Sequence, residues 1–186
     1  MALLDTTTLL LLIDPTAAAP LDPTTKKRVE RCKERLEHLS DTLNQAGTKI
    51  LIPTPVLAEV LVCAGPTAKA AYLAELQGAA TFQIVSFDVK SAVELSFLLD
   101  GDGRPAGRKR PGKETWAKVK FDRQIVATAK AYGEKDIYTD DEHLGEVAKL
   151  NGITVHHIWD LPLPPPKQQG ELDLPEPEDS DEEDND

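Results

Sequence analysis

The chain carries four carboxylates, Asp14, Glu59, Asp122 and Asp141, each set at the end of an apolar strand-like run or in the opening turns of a helix-like one. Steps of 45, 63 and 19 residues separate them, so no local motif unites them and only a fold could bring them together. Once gathered, each carboxylate raises the cost of ionising the next, and a positive group has to sit among them. Hard divalent cations prefer oxygen ligands and commonly keep several waters, so such a pocket suits Mg²⁺ or Mn²⁺ better than zinc. An ion held there would acidify a water, aim it in line at a phosphodiester and offset charge on the phosphorane oxygens and the leaving group. No side-chain nucleophile is required.

Each acid taken singly has a plainer explanation. Asp122 and Asp141 precede helical patterns and suit N-caps. Asp14 followed by Pro15 reads locally as a turn. Glu59 is the discriminating member, because it stands inside the apolar run VLAEVLVC, where no cap is required and the plain alternative is a solvated helix face.

The elements that would position these residues alternate between strand and helix. TLLLLI (8–13) is a continuous apolar run closed by Asp14-Pro15 and reads as a first strand buried on both faces. From Thr24 or Thr25, apolar residues at steps of three and four run to Ala46, with Gly47 as a C-cap, which predicts a long amphipathic helix. KILI (49–52) reads as a second strand. Thr54-Pro55 supplies a cap and a first-turn proline for the next helix. A helix over 66–78, the strand FQIVSF, an Asp88-capped helix, the helix DRQIVATAKAYG, the strand DIYT, the helix DEHLGEVAKLNG and the strand ITVHHI follow. This order predicts a mostly parallel central sheet of about five strands between helical layers, with ligands beyond the carboxyl ends of the strands.

Two segments depart from that alternation. Residues 100–120, rich in Gly, Pro and basic side chains, read as an exposed loop that ends beside Asp122. Arg108, Lys109, Arg110, Lys113 and Lys120 suit phosphate contacts, and Trp116 suits stacking on a base. Beyond a folded unit of residues 1–160, residues 161–186 begin Pro-rich and end in an acidic stretch too polar to pack. The net charge of −11 comes mainly from that stretch, since residues 171–186 hold ten acids and no Lys or Arg, leaving 21 basic against 22 acidic residues elsewhere. The body is therefore near neutral, and acidity does not argue against a nucleic-acid partner. The tail suits either a solubilising role or competition with RNA phosphates at the basic loop.

Cys32 and Cys63 fall in apolar helical patterns without Cys-x-x-Cys spacing and read as small core residues of a cytoplasmic protein. His38, His156 and His157 lack ligand partners at zinc spacing and read as structural, and His143 as an exposed helix position. No stretch approaches the length of a membrane span.

The segments LLID at Asp14, IPTPVLAEVL with Glu59, KFDRQIVATAKAYG with Asp122 and IYTDDEHL together resemble the PIN-domain ribonucleases, and in particular their VapC-type toxin branch. The resemblance covers roughly residues 8–158 and implies a PIN-like three-layer α/β/α sandwich and a Mg²⁺- or Mn²⁺-dependent endoribonuclease. It implies Asp14, Glu59, Asp122 and Asp141 as the metal-side and catalytic acids. In a Thr-x-Asp motif Thr139 supplies a hydroxyl and Asp141 the carboxylate, with Asp140 as the alternate. RNA, an antitoxin protein and a second copy of the chain are the partners it implies. Pro15 stands where the family usually has Thr or Ser after its first Asp, so Thr16 is the substitute hydroxyl here. The competing readings are a PIN-like binding or scaffold module that holds nucleic acid without cutting it and, ranked low, a phosphatase with Asp14 as nucleophile.

Overall fold

The computed structural model describes residues 2–100 and 116–165. Its sheet has five strands, all parallel, in the order β3-β2-β1-β4-β5. β1 (Ala2–Leu4), β2 (Ile50–Pro53), β3 (Phe82–Val85), β4 (Asp136–Tyr138) and β5 (Thr154–His156) are short, and β1, the central one, is buried throughout. Seven α-helices among the described residues flank the sheet, giving the expected α/β/α sandwich. They are α1 (Thr6–Ile13), α2 (Cys32–Gln45), α3 (Thr54–Cys63), α4 (Gly65–Gly78), α5 (Val89–Asp100), α6 (Trp116–Ala131) and α7 (Glu142–Leu150). None of these helices is long and apolar enough to cross a membrane. The chain steps outward from β1 to β3, then returns to the other side of β1 for β4. That reversal opens a crevice at the carboxyl ends of β1 and β4, where ligands bind in open parallel sheets.

Three elements differ from the sequence reading. The run 8–13 is not a strand but most of α1. A short apolar run fits a buried helix as well as a buried strand, and here Asp5 decides the matter by accepting the Thr8 N–H at 2.7 Å as an N-cap. The first strand lies immediately before that cap. The helix expected from Thr24 or Thr25 begins instead at Cys32. The Asp22 carboxylate takes the N–H groups of Thr24 and Thr25 and the Thr25 hydroxyl, closing a turn that competes with helix. Finally, α6 starts at Trp116, inside the segment read as loop, so Asp122 sits in a helix interior and caps nothing.

Candidate active site

The carboxylates that meet at the crevice come from four elements around the two central strands. Asp5 ends β1, Glu59 lies on α3, Asp122 on α6, and Asp141 caps α7. All four line one cavity of about 460 Å³, together with Thr6, Cys63 and Lys118.

Asp5 and Thr139 form its base. Asp5, 3% exposed, accepts the Thr8 N–H with Oδ1 and the Thr139 hydroxyl with Oδ2. Thr139 Oγ1 in turn accepts the Asp141 N–H at 3.0 Å. One hydroxyl thus couples the ends of β1 and β4 and orients two carboxyl-bearing residues. Burial pushes the Asp5 carboxyl up to about 6, although the bonds from Thr139 and Thr8 favour its charged form.

The other three acids are each held by a different group. Thr6 donates its hydroxyl to Glu59 Oε2 at 2.5 Å. Asp122, also buried, lies 2.8 Å from His143 Nδ1, and burial raises its carboxyl despite that bond. Asp141 accepts the Leu144 N–H with Oδ1 at 3.0 Å and meets Lys118 Nζ with Oδ2 at 2.9 Å. Burial would raise Asp141, but the Leu144 N–H and Lys118 outweigh it and hold the carboxyl below its ordinary value.

Among the described residues, no three His, Cys, Asp or Glu side chains stand close enough to form a ready-made metal cage. The donor set is four carboxylates and a hydroxyl in a cavity that Leu10, Phe121, Ile125 and Leu144 also line, each acid already engaged by its own partner. That chemistry fits a hard divalent cation that retains part of its water shell and enters by displacing existing contacts. It does not fit a closed zinc site, which takes four nitrogen or sulfur ligands.

Asp14 is not among the gathered acids. The run before it is helix, so Asp14 follows α1, at the end opposite Asp5. Its Oδ1 accepts the N–H and hydroxyl of Thr16, at 2.8 and 2.7 Å, and both bonds hold its carboxyl low. It lines a separate cavity with Arg31 and Lys33, and Thr16 serves Asp14 there instead of the acidic site. The phosphatase reading, which needed Asp14 at a strand end, loses its basis with it.

The signal for Asp5 was the same one read at Asp14, an apolar run closed by Asp, with Thr6 in the following position where the resemblance asks for Thr or Ser. Asp140 points away from the cavity: its side chain is 9% exposed, Oδ1 accepts the Ile158 N–H at 3.0 Å, and His157 lies 3.8 Å off. It secures the turn after β5. Cys63 is exposed and lines the acidic cavity, a correction to its reading as core. His143, read as exposed, is the partly buried partner of Asp122. Lys120 lies on α6 outside the cavity lining, and Trp116 is the first residue of that helix. Arg108, Lys109, Arg110 and Lys113 lie outside the described residues, as does the acidic tail beyond Pro165.

The PIN-domain family model matches residues 3–150, nearly the whole folded body, and its span includes Asp5 and Asp141. The chain belongs to the PIN-domain family. Among solved structures, this PIN domain resembles VapBC2 from Rickettsia felis bound to a DNA fragment from its promoter. That match has a TM-score of 0.52 and 15% identity, over 84% of this chain and 97% of the other. VapC20 of Mycobacterium tuberculosis, a sarcin–ricin-loop-cleaving toxin, matches with a TM-score of 0.50 and 12% identity, over 87% of this chain and all of that one. At these identities the likeness is one of fold. Human von Willebrand factor A domain-containing protein 7 is 31% identical over 117 residues, which are 62% of this chain but only 12% of that protein.

Proposed function

We propose that this PIN domain is a Mg²⁺- or Mn²⁺-dependent endoribonuclease with Asp5, Glu59, Asp122 and Asp141 as its acidic residues. The observation that carries the reading is the convergence of these four carboxylates, from four separate elements, on one cavity at the strand-order reversal. A divalent ion bound among them would supply the charge and the acidified water that phosphodiester hydrolysis needs. The chain's own residues prepare that cavity. Thr139 sets Asp5 against Asp141, Thr6 aims Glu59, and His143 fixes Asp122, so the acids keep their orientation without an ion between them. Basic side chains of the 104–113 segment, with Lys120 and Trp116, remain the proposed contacts to RNA phosphates and bases. An antitoxin protein covering the cavity is the proposed partner, by analogy with the VapBC2 complex.

The test is cleavage of single-stranded and hairpin RNA by the full chain with Mg²⁺ or Mn²⁺. Endonucleolytic products that vanish with EDTA and with Asp122→Asn are expected. RNA that binds but stays intact under every metal tried would instead favour the non-catalytic binding module. One observation leans toward that second reading: Lys118 already neutralises Asp141.

A further inference from the structure

Lys118 stands one helical turn before Asp122 on α6, so both side chains leave the same face of the helix toward the cavity. Its ammonium lies 2.9 Å from Asp141 Oδ2, the oxygen not used by the Leu144 N–H, and it lines the cavity with Asp5, Glu59 and Asp122. The four acids therefore do not wait bare for an ion. A positive charge is present, and the chain supplies it. The two partners differ in reach and exposure. Asp141 is pinned by its cap and by the Thr139 hydroxyl, whereas Lys118 reaches it on a flexible four-carbon stem from a side chain that is 44% exposed. The lysine is the partner that can leave.

We infer that Lys118 is a tethered competitor of the divalent ion: it occupies Asp141 in the metal-free protein and must be displaced before that carboxylate can serve as a ligand. The inference rests on the proposed acidic metal site but does not need RNA cleavage to be seen. Metal entry would exchange one contact for another at Asp141, and the released ammonium would remain tethered beside the cavity, free to meet a phosphate. Binding should accordingly be weaker than four carboxylates alone would give.

The test is Mn²⁺ binding to the full chain, followed by calorimetry and by the Mn²⁺ electron paramagnetic resonance signal, for the natural protein, Lys118→Met and Lys120→Met. Met keeps the stem and removes the charge. Lys118→Met should bind Mn²⁺ about three- to fivefold more tightly, the size expected when a half-exposed ion pair no longer has to be broken. Lys120→Met removes the same charge from the same helix and should shift binding by less than half as much. Lys118→Arg should restore the natural affinity. Unchanged or weaker binding by Lys118→Met, or equal tightening by Lys120→Met, would overturn the competition while leaving the metal site itself standing. If neither the natural protein nor Lys118→Met binds Mn²⁺, both the competition and the metal-dependent reading fall.

Discussion

Replacing Asp5 by Asn separates what this residue does for the site from what it costs the fold. Its carboxyl is driven from an ordinary 3.8 to about 6, chiefly by burial. Between those two values the folded chain holds a proton that the unfolded chain has released. The group's contribution to stability therefore declines as pH rises through that window, and above it the full penalty applies. A displacement of that size is on the order of 3 kcal/mol at neutral pH. Asn retains an oxygen for the Thr8 N–H, so the cap on α1 survives. The Thr139 hydroxyl must reorient, because it now faces an amide while still accepting the Asp141 N–H, at a cost of about 1 kcal/mol. Roughly 2 kcal/mol should remain, which for a domain of this size raises Tm by about 4–8 °C. Thermal melts of both proteins in EDTA, from pH 4 to 8, measure it. The variant should be the more stable at pH 7.5, the gap should close near pH 4, and RNA cleavage should be absent throughout. A gap that ignores pH, or an Asn variant that melts lower at pH 7.5, would refute the account of Asp5 as a carboxylate held in the interior at the expense of stability.

Other substitutions discriminate among the acids. Asp14→Asn should leave cleavage within about twofold of the natural chain, the scatter expected of a residue remote from the site; a larger loss in an RNA gel time course would return Asp14 to the catalytic acids. Asp141→Asn should lower cleavage by more than about 100-fold, exceeding the 10- to 100-fold typical of losing a ligand's partner, whereas Asp140→Asn, which keeps an acceptor for the Ile158 N–H, should cut normally. Equal losses in the two would show that both carboxylates serve the cavity. His143→Ala should weaken Mn²⁺ binding about 10- to 100-fold by releasing Asp122, read by calorimetry, and an unchanged affinity would reduce His143 to a packing role.

Most of the sheet was legible because its punctuation is local. Thr54-Pro55, Asp88 and Asp141 each announce a helix at the residue where one begins or is capped, and the β-branched runs before them are strands. The misreadings of α1 and α2 share one physical cause, a decision taken by a single side chain whose partner the sequence does not reveal. Whether TTTLLLLI is helix or strand turns on the Asp5 carboxylate finding the Thr8 N–H, and reading it as strand displaced the first acid from Asp5 to Asp14. Whether a helix starts at Thr24 turns on Asp22 capturing the threonine N–H groups. The pairs His143 with Asp122 and Lys118 with Asp141 span 21 and 23 residues and depend on α6 and α7 being packed side by side, which no periodicity encodes. Glu59 was the easiest of the four to single out, because a charged residue in an apolar helix asks for a partner wherever the fold puts it.

The placement of β1 between β2 and β4 has a consequence for how such a chain is made. A ribosome delivers the chain in order, and β1 can pair with β2 about fifty residues later, but its other edge stays open until β4 appears some 130 residues after β1. Thr139, which ties Asp5 to Asp141, arrives in that same late stretch, and so do Asp122 and His143. Between the emergence of α3 and that of α6, a nascent chain thus carries Asp5 and Glu59 with nothing to complete the pocket. If the finished protein cuts RNA, its growing form is harmless to the transcript and ribosome that are producing it, and the burial of one central strand marks the moment that protection ends.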